Sequence, residues 1–220
     1  GGSSGIGLST AKALASRGYD VAIVARDPGR LEAAAEAVRA LAEEGARVSW
    51  RSADLSSRAA TEAAFRELAD EGFVPDVLVN SAGVIIPGEF VSMSDEDFRS
   101  NIDHGFWSVV HPCRAAAPRM VERGQGHIVN VSSVAGFLGI YGYTGYSAAK
   151  YAVMGFTEAL RFEMKPHGVR VSVVCPPDTD TPALAHEHTL RPPETDAIAG
   201  AIKPIPPEKV AAAVLRTIGT

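Results

Sequence analysis

The most constraining feature of this 220-residue sequence is a regular alternation of short apolar runs with helical patterns. Continuous, β-branched runs such as DVAIVAR (20–26) and GHIVNVSS (126–133) are typical of strands that are covered on both faces. Helix-forming segments follow such runs, for example over 30–45 and 57–72, and each of these two ends at a glycine. Short links between alternating strands and helices predict a parallel sheet with helices on both faces. We therefore expect an α/β fold, built as a single doubly wound domain over residues 1–220.

The remaining predicted elements continue this alternation along the chain. Further strands are predicted over 46–55, 75–83 and 168–177, and further helices over 5–17, 94–123, 144–164 and 207–218. The sequence opens on a glycine-rich loop, although a doubly wound sheet should have a strand in front of such a loop. We therefore expect the first strand to be missing from the given chain.

Charge and composition argue against several classes of function. The net charge is −5 and no block of Lys or Arg is present, which argues against a nucleic acid as the main partner. The uncharged stretch 124–149 contains six glycines, so we interpret it as strand, loop and helix start rather than as a membrane span. We expect a cytoplasmic protein, with peripheral membrane contact as an option.

The residues that most often bind metals are not arranged for it. Cys113 and Cys175 are far apart and have no metal-ligand spacing, which favours a reducing compartment. His186 and His188 are two residues apart in a loop-like segment, where histidines are more often surface residues. We therefore expect no metal site.

The glycine loop GGSSGIG (1–7) precedes a predicted helix and then a strand. Glycines let a backbone turn tightly and approach a diphosphate, and the N–H groups at the start of a helix attract anions. An ordinary turn is the alternative interpretation, but the helix and strand that follow favour dinucleotide binding. The loop residues predicted to bind the cofactor are Gly1, Ser3, Ser4, Gly5, Ile6 and Gly7.

The end of the next predicted strand selects the cofactor. A carboxylate there would bind a ribose 2′-hydroxyl and favour NAD, whereas an arginine would meet the 2′-phosphate of NADP. The strand ends at Ala25 and Arg26, so we predict NADPH as the cofactor. Asp27 lies one residue further on and is expected to point elsewhere. The alternative is that Arg26 is only solvated and that cofactor selectivity is set at another position.

Tyr146 and Lys150 are four residues apart in a predicted helix, and therefore on one face of it. When a hydride reduces a ketone, negative charge develops on the carbonyl oxygen, and a tyrosine can supply a proton there. Because a free tyrosine has a pKa of about 10, we expect the Lys150 ammonium to lower it toward neutrality. Ser133, at the end of a predicted strand, is the candidate second hydroxyl, and Ser132 competes with it. A surface tyrosine beside a solvated lysine is the alternative.

The glycine loop, NSAG (80–83), VSSVAG (131–136) and Y-x-x-x-K follow each other in this order. Together they resemble the short-chain dehydrogenase/reductase family over essentially the whole chain. The resemblance implies a Rossmann-type NADP-binding reductase domain, and a homodimer or homotetramer. It implies that the catalytic residues are Ser133, Tyr146 and Lys150. It further implies that the cofactor contacts Arg26, Asp54, Leu55, Asn80, Ala82, Gly83, Tyr146, Lys150, Pro176, Thr179 and Thr181.

One position departs from the family pattern. Members of the family usually carry an asparagine on the long central helix, which helps to hold a proton-relay water. Counting back from Ser133 without gaps puts that position near Gly105, while Asn101 lies one turn earlier. Asn101 is therefore left outside the catalytic set.

A finer resemblance involves PPDTDTP (176–182), RPPET (191–195) and IPPEKVA (205–211). These segments resemble the 3-ketodihydrosphingosine reductases, and they imply NADPH-dependent reduction of the 3-keto group of a long-chain sphingoid precursor, 3-ketosphinganine. The alternatives are a 3-oxoacyl thioester reductase or generic carbonyl reductase of the same family, and, less favoured, a non-catalytic NADP-binding protein. We expect residues 178–204 to form a mobile loop that serves as a substrate lid.

The substrate is expected to enter beside an apolar loop. Phe137, Leu138, Ile140 and Tyr141 would give the site an apolar mouth that suits a lipid chain. The alternative is that these side chains serve only in loop packing.

Overall fold

The computed structural model describes residues 1–199 and 203–218. The strands are β1 (Val21–Ala25), β2 (Val48–Ser52), β3 (Val77–Asn80), β4 (Gly126–Val131) and β5 (Val169–Val174). The α-helices are α1 (Gly5–Ala15), α2 (Pro28–Arg39), α3 (Arg58–Asp70), α4 (Asp95–Ile102), α5 (Ser108–Arg123), α6 (Thr144–Met164), α7 (Pro182–His188), α8 (Pro193–Ala199) and α9 (Pro207–Ile218). A π-helical turn (Asp103–Trp107) joins α4 to α5, and 3₁₀ turns lie at Val134–Gly136 and Lys165–His167.

Every strand pairing in the described residues is parallel. Strand β1 pairs with β2, so that Val21 lies opposite Val48, and strands β3, β4 and β5 are adjacent in that order. No ladder joins β1 to β3 within the described residues; a cleft of about 330 Å³ lies there, lined by apolar residues that include Ile23 and Leu78. The predicted α/β fold with parallel strands is confirmed, and the described strands form a two-stranded and a three-stranded parallel sheet.

Two apolar clusters form the core. The first joins α1, α2 and β1 and buries Leu31 and Val38 completely. The second joins α5, α6, β4 and β5 and buries Met120, Ile128 and Val153 completely. Each such side chain contributes roughly 1.5–3 kcal/mol through burial, so helices are fixed by their apolar faces rather than by local propensity alone. Within the described residues, no helix has both the length and the apolar character needed to cross a bilayer.

The predicted helix over 94–123 is interrupted. The π-helical turn brings Gly105 so close to α6 that a Cβ atom on it would lie 2.8 Å from the Cβ atom of Ala149. A side chain at this position would therefore force the two helices apart. The interruption also turns His104 toward the cleft at the carboxyl ends of the strands.

The segment predicted as a loop over 178–204 is partly helical, so the expectation of a loop was wrong, while its role as a substrate lid stays a prediction. Thr181 caps α7 by accepting a hydrogen bond from the N–H of Leu184, and Pro182 occupies the first turn, where its missing N–H is harmless. Helix α8 follows from Pro193. Residues 200–202 of the predicted segment lie outside the described residues.

Candidate active site

The carboxyl ends of the parallel strands open into one cleft of about 460 Å³. Parallel strands release their loops at the same edge of a sheet, and that edge is where α/β folds bind ligands. Of the residues expected to bind a cofactor, those that line this cleft are Gly1, Ser3, Ser4, Gly5, Ile6, Gly7, Arg26, Asp54, Leu55, Ala82, Gly83 and Thr181. Most of the residues that the sequence motifs assign to the cofactor therefore line this cleft.

The glycine loop fits against the segment after β3 only because it lacks side chains. A Cβ atom on Gly1 would lie 2.4 Å from the backbone nitrogen of Ala82, and one on Gly7 would lie 1.9 Å from the carbonyl oxygen of Gly1. Gly5 has a φ of +50°, which also favours glycine. Helix α1 starts here, and Ser4 makes no side-chain cap. The first turn therefore leaves N–H groups for an anion, as a dinucleotide diphosphate requires.

The other expected cofactor contacts are not among the residues that line this cleft; they are Asn80, Tyr146, Lys150, Pro176 and Thr179. Asn80 is buried, and its amide donates to Asn130 Oδ1 at 2.9 Å, so its side chain ties β3 to β4. Thr179 is buried and its hydroxyl donates to the carbonyl of Pro177 at 2.8 Å. Pro176 is also buried. Asn80, Thr179 and Pro176 therefore shape the sheet edge from below.

His104 is a residue of this cleft that sequence reasoning missed. Its Nδ1 lies 3.1 Å from the carbonyl oxygen of Ser100, which can only accept a hydrogen bond, so Nδ1 carries the proton. Its Nε2, 3.3 Å from Arg26 Nη1, is then the acceptor for the guanidinium. His104 thus orients Arg26. The contact between His104 and Arg26 could not be predicted from the sequence, because His104 is a single histidine within a long helical pattern.

Ser133, Tyr146 and Lys150 lie near one another behind the cleft, where a Cβ atom on Gly83 would lie 3.6 Å from Lys150 Nζ. Their catalytic role stays a prediction. Lys150 is buried, and its Nζ lies 5.7 Å from the centre of the Tyr146 ring and donates to the carbonyl of Val131 at 3.2 Å. The Ser133 hydroxyl accepts a hydrogen bond from the N–H of Ala135 at 3.1 Å and lies close enough to Tyr146 to lower the pKa of the phenol. The Ser132 hydroxyl instead donates to the Lys150 carbonyl at 3.0 Å. The geometry therefore favours Ser133 over Ser132 as the second hydroxyl.

The electrostatics of this group differ from the sequence expectation. Burial raises the pKa of Tyr146 to about 12, with the hydrogen bond from Ser133 acting against this and the Glu187 and Asp178 carboxylates adding to it. Burial lowers the pKa of Lys150 to about 8, and the neighbouring Cys175 opposes this shift. The expected lowering of the Tyr146 pKa by Lys150 is not found, because burial favours the neutral form of both groups. Tyr146 is therefore a protonated phenol near neutral pH.

Asn101 lies much closer to this group than the sequence count suggested. It is fully buried, its Oδ1 accepts from the N–H of Ile86, and its Nδ2 donates to the carbonyl of Ile86, both at 3.0 Å. A Cβ atom on Gly145, next to Tyr146, would lie 3.1 Å from Asn101 Nδ2. The gap-free count to Gly105 overlooked this, because a count along the chain carries no information about which helix position faces α6.

The loop in front of α6 exposes apolar side chains. Phe137, Leu138 and Tyr141 are 56%, 55% and 44% exposed, while Ile140 is half-buried. The N–H of Gly88 donates to the carbonyl of Gly142 at 2.8 Å, so the segment before α4 borders this loop. Phe137, Leu138 and Tyr141 therefore form an exposed apolar surface, and its role as the mouth of the substrate site stays a prediction.

His186 and His188 are both exposed on α7. In the part of the chain that the structure describes, no group of three His, Cys, Asp or Glu side chains could hold a metal ion.

The sequence and the fold together place the chain in a known family. Residues 1–190 match the family model of the short chain dehydrogenases. The chain belongs to the short-chain dehydrogenase/reductase family, which confirms the resemblance carried by its motifs.

Individual relatives narrow the comparison. The chain is 38% identical to the 3-dehydrosphinganine reductase of Danio rerio over 218 residues, which are 98% of this chain and 66% of that protein. The 3-ketodihydrosphingosine reductase of Bos taurus is 37% identical over the same shares of the two chains. The chain thus spans just under two thirds of the length of these curated relatives.

The solved structures agree on the fold. A point variant of actinorhodin polyketide ketoreductase, solved with NADPH, superposes with a TM-score of 0.89 at 30% identity, covering 98% of this chain and 87% of that one.

Proposed function

We propose that this protein is an NADPH-dependent oxidoreductase that reduces a ketone to a secondary alcohol by hydride transfer. The observation that carries this proposal is the meeting of Ser133, Tyr146 and Lys150 beside a cleft lined by the glycine loop. A phenol, a hydroxyl and a buried ammonium at one point are the groups that a carbonyl reduction needs.

The cofactor proposed for the cleft is NADPH. The glycine loop and the first turn of α1 would hold its diphosphate, and Arg26, oriented by His104, would meet its 2′-phosphate. Ala25 in place of a carboxylate removes the repulsion that a 2′-phosphate would otherwise meet. The actinorhodin polyketide ketoreductase, which was solved with NADPH, supports the same choice. When bound, NADPH supplies the hydride.

The chain's own residues handle the proton. As the ketone carbon accepts the hydride, the electrons of the C=O double bond move to oxygen, and the Tyr146 hydroxyl transfers its proton to that oxygen. The Ser133 hydroxyl donates a hydrogen bond to the same oxygen and holds it in place. The phenolate left on Tyr146 is stabilised by the Lys150 ammonium and regains a proton from solvent.

The substrate proposed is a long-chain lipid ketone, 3-ketosphinganine. The similar proteins from Danio rerio and Bos taurus are named as reductases of this ketone, and their names support the assignment. The exposed apolar loop at Phe137 and Leu138 suits an acyl chain and contact with a membrane surface. The competing substrate is a 3-oxoacyl thioester.

Purified protein given each ketone with NADPH or NADH tests this proposal. We expect rapid oxidation of NADPH with 3-ketosphinganine, and at least about tenfold slower turnover with NADH, since one lost phosphate contact is worth about 1.5–3 kcal/mol. Turnover of acetoacetyl thioester alone would keep the mechanism and reject the lipid substrate. No turnover of either ketone, together with intact NADPH binding, would favour a non-catalytic NADP-binding protein.

A homodimer or homotetramer remains part of the proposal. Helix α6 exposes Tyr151 and Phe162, which are 47% and 71% exposed, and Phe162 follows Tyr151 by eleven positions, or about three helical turns. These side chains therefore lie on one face, which would suit a second copy of the chain.

A further inference from the structure

A buried cluster of charged groups lies next to the proposed active site and takes no part in the chemistry described above. It consists of Arg191, Glu187, Asp178 and the hydroxyl of Tyr143, and it is called the Arg191 cluster below. Arg191 Nε donates to Glu187 Oε1 at 2.6 Å, and Arg191 Nη2 donates to Asp178 Oδ2 at 2.9 Å. The Tyr143 hydroxyl donates to the same Glu187 oxygen.

The burial of this cluster is unusual for charged side chains. The side chains of Arg191 and Glu187 are only 1% and 4% exposed, and that of Asp178 is 30% exposed. Charged groups are excluded from water at this depth only when each has a partner, and removal of one partner leaves an uncompensated charge. The hydrogen bonds to Asp178 and Glu187 raise the Arg191 pKa despite burial. The cluster is therefore stable only when all of its members are in place.

These members come from separate parts of the chain. Asp178 follows β5, Glu187 lies in α7, Arg191 lies between α7 and α8, and Tyr143 immediately precedes α6. The cluster thus connects the segment 178–199 to the start of the helix that carries Tyr146.

A second attachment lies beside the first. Thr195 in α8 is fully buried, and its hydroxyl donates to the carbonyl of Tyr141 at 2.9 Å. Gly142 has a φ of +75°, and a Cβ atom on it would lie 2.8 Å from Thr195 Oγ1. Residue 142 must therefore be a glycine for α8 to approach this closely.

The contacts lead directly to Tyr146. The rings of Tyr143 and Tyr146 pack edge to face with their centres 5.8 Å apart. Besides burial, the groups that act on the pKa of Tyr146 are the Ser133 hydroxyl, which lowers it, and the carboxylates of Glu187 and Asp178, which raise it. The Lys150 ammonium, on the same helix, lies 5.7 Å from the centre of the Tyr146 ring.

We propose that the Arg191 cluster closes the segment 178–199 over the substrate side of the site and positions Tyr146, so that Arg191 and Glu187 are positioning residues for the reduction. The role assigned to Tyr146 rests on the function proposed above. Tyr143 donates its hydroxyl proton to Glu187 and therefore cannot act as a second proton donor. The negative charges of Glu187 and Asp178 add to burial in raising the pKa of Tyr146.

Amide hydrogen exchange of the intact protein tests the closure without any activity measurement. In Arg191→Met, two buried carboxylates lose their partner, so exchange in residues 184–195 and 141–146 should accelerate by about 100-fold or more, while exchange in α2 stays unchanged. Arg191→Lys should give a smaller acceleration, because it keeps one charge. The matched control is Arg58→Met, which removes an exposed arginine from its pair with Glu62. Unchanged exchange in Arg191→Met would overturn the proposal.

Titration of Tyr146 in Glu187→Gln tests the positioning. The variant keeps the shape of the side chain and removes a negative charge from the surroundings of Tyr146, which lowers the Tyr146 pKa. The ultraviolet absorbance of the Tyr146 phenolate, identified by its loss in Tyr146→Phe, should therefore appear at lower pH in Glu187→Gln, with the Kd for NADPH changed by less than about threefold. A Tyr146 titration that does not move would reject the effect on Tyr146. If the unmodified protein reduces neither ketone, the proposed function fails, and the exchange experiment still decides whether the closure exists. If Arg191→Met fails to fold, Thr195→Val replaces it, with the same segments measured.

Discussion

At the scale of single residues, the site depends on side chains whose usual charge states have been altered by burial. Lys150 is 5% exposed and its pKa falls to about 8, while Tyr146 keeps its proton. A buried ammonium destabilises the fold, and the protein retains it because the proposed chemistry needs a cation beside the phenol.

Lys150→Met should therefore make the protein more stable at neutral pH and inactive. The pKa of this lysine is about 10.5 in the unfolded state and about 8 in the folded state. Below pH 8 both states carry the ammonium, and its burial lowers the free energy of unfolding by roughly 3 kcal/mol. The variant also loses the hydrogen bond to the Val131 carbonyl, which lowers stability by about 1 kcal/mol, so the free energy of unfolding should rise by about 2 kcal/mol in total. Urea unfolding at pH 7 and pH 10.5 measures it, and the gain should shrink at the higher pH. A loss of stability at pH 7 would contradict the buried ammonium.

Arg26 and His104 should act as a pair in cofactor selection. Arg26→Ala should raise the KM for NADPH by about 10- to 100-fold and leave the KM for NADH nearly unchanged, since only the 2′-phosphate loses a charged partner. His104→Leu should raise the KM for NADPH by less, and the double variant should match Arg26→Ala, because the histidine acts through the arginine. The control is Arg39→Ala, an exposed arginine paired with Glu36 outside the cleft. Equal losses for both cofactors would contradict the assignment.

At the scale of elements, the junction between α4, the π-helical turn and α6 fixes the geometry behind Tyr146. Asn101 bonds both backbone groups of Ile86 and contacts Gly145, so it joins the loop after β3 to two helices. Hydrophobic periodicity shows which residues share a face of a helix, but it does not show what that face contacts. The bonds of Asn101 to Ile86 and the π-helical turn could therefore not be predicted from it.

Asn101→Ala should destabilise the fold by about 1–3 kcal/mol, because it leaves the half-buried N–H and carbonyl of Ile86 without their side-chain partner. Ser100→Ala on the same helix is the matched control and should cost less than about 1 kcal/mol. Thermal or urea unfolding measures both. If the two variants were equally stable, Asn101 would not be the structural link described.

At the scale of the whole molecule, the sequence predicted best what is encoded locally. Helices α6 and α9 begin and end at the predicted residues, and Tyr146 and Lys150 share a face of α6 because their spacing is helical. The Arg191 cluster was not predictable, since Tyr143 and Glu187 are 44 residues apart and no local pattern connects them. The pKa of Tyr146 was predicted in the wrong direction because burial, which dominates it, is a property of the packed molecule.

The proposed assembly makes a prediction at the same scale. Phe162→Glu on the exposed face of α6 should shift the protein toward the monomer by at least about tenfold in dissociation constant, since it places a charge in an apolar contact. Leu41→Glu, an exposed apolar residue after α2, serves as the control and should leave assembly unchanged. Sedimentation velocity measures both. A wild-type protein that is monomeric at every concentration would contradict the proposed oligomer.

The central claim is that Tyr146 donates the proton to a ketone while the dinucleotide cleft remains independent of it. The most direct test is Tyr146→Phe, measured for NADPH binding by fluorescence titration and for formation of the alcohol from 3-ketosphinganine. The account predicts a Kd for NADPH within about twofold of the unmodified protein and a fall in kcat by at least about 100- to 10,000-fold, the usual contribution of a positioned acid. A variant that binds NADPH and still reduces the ketone at an appreciable fraction of the original rate would contradict it.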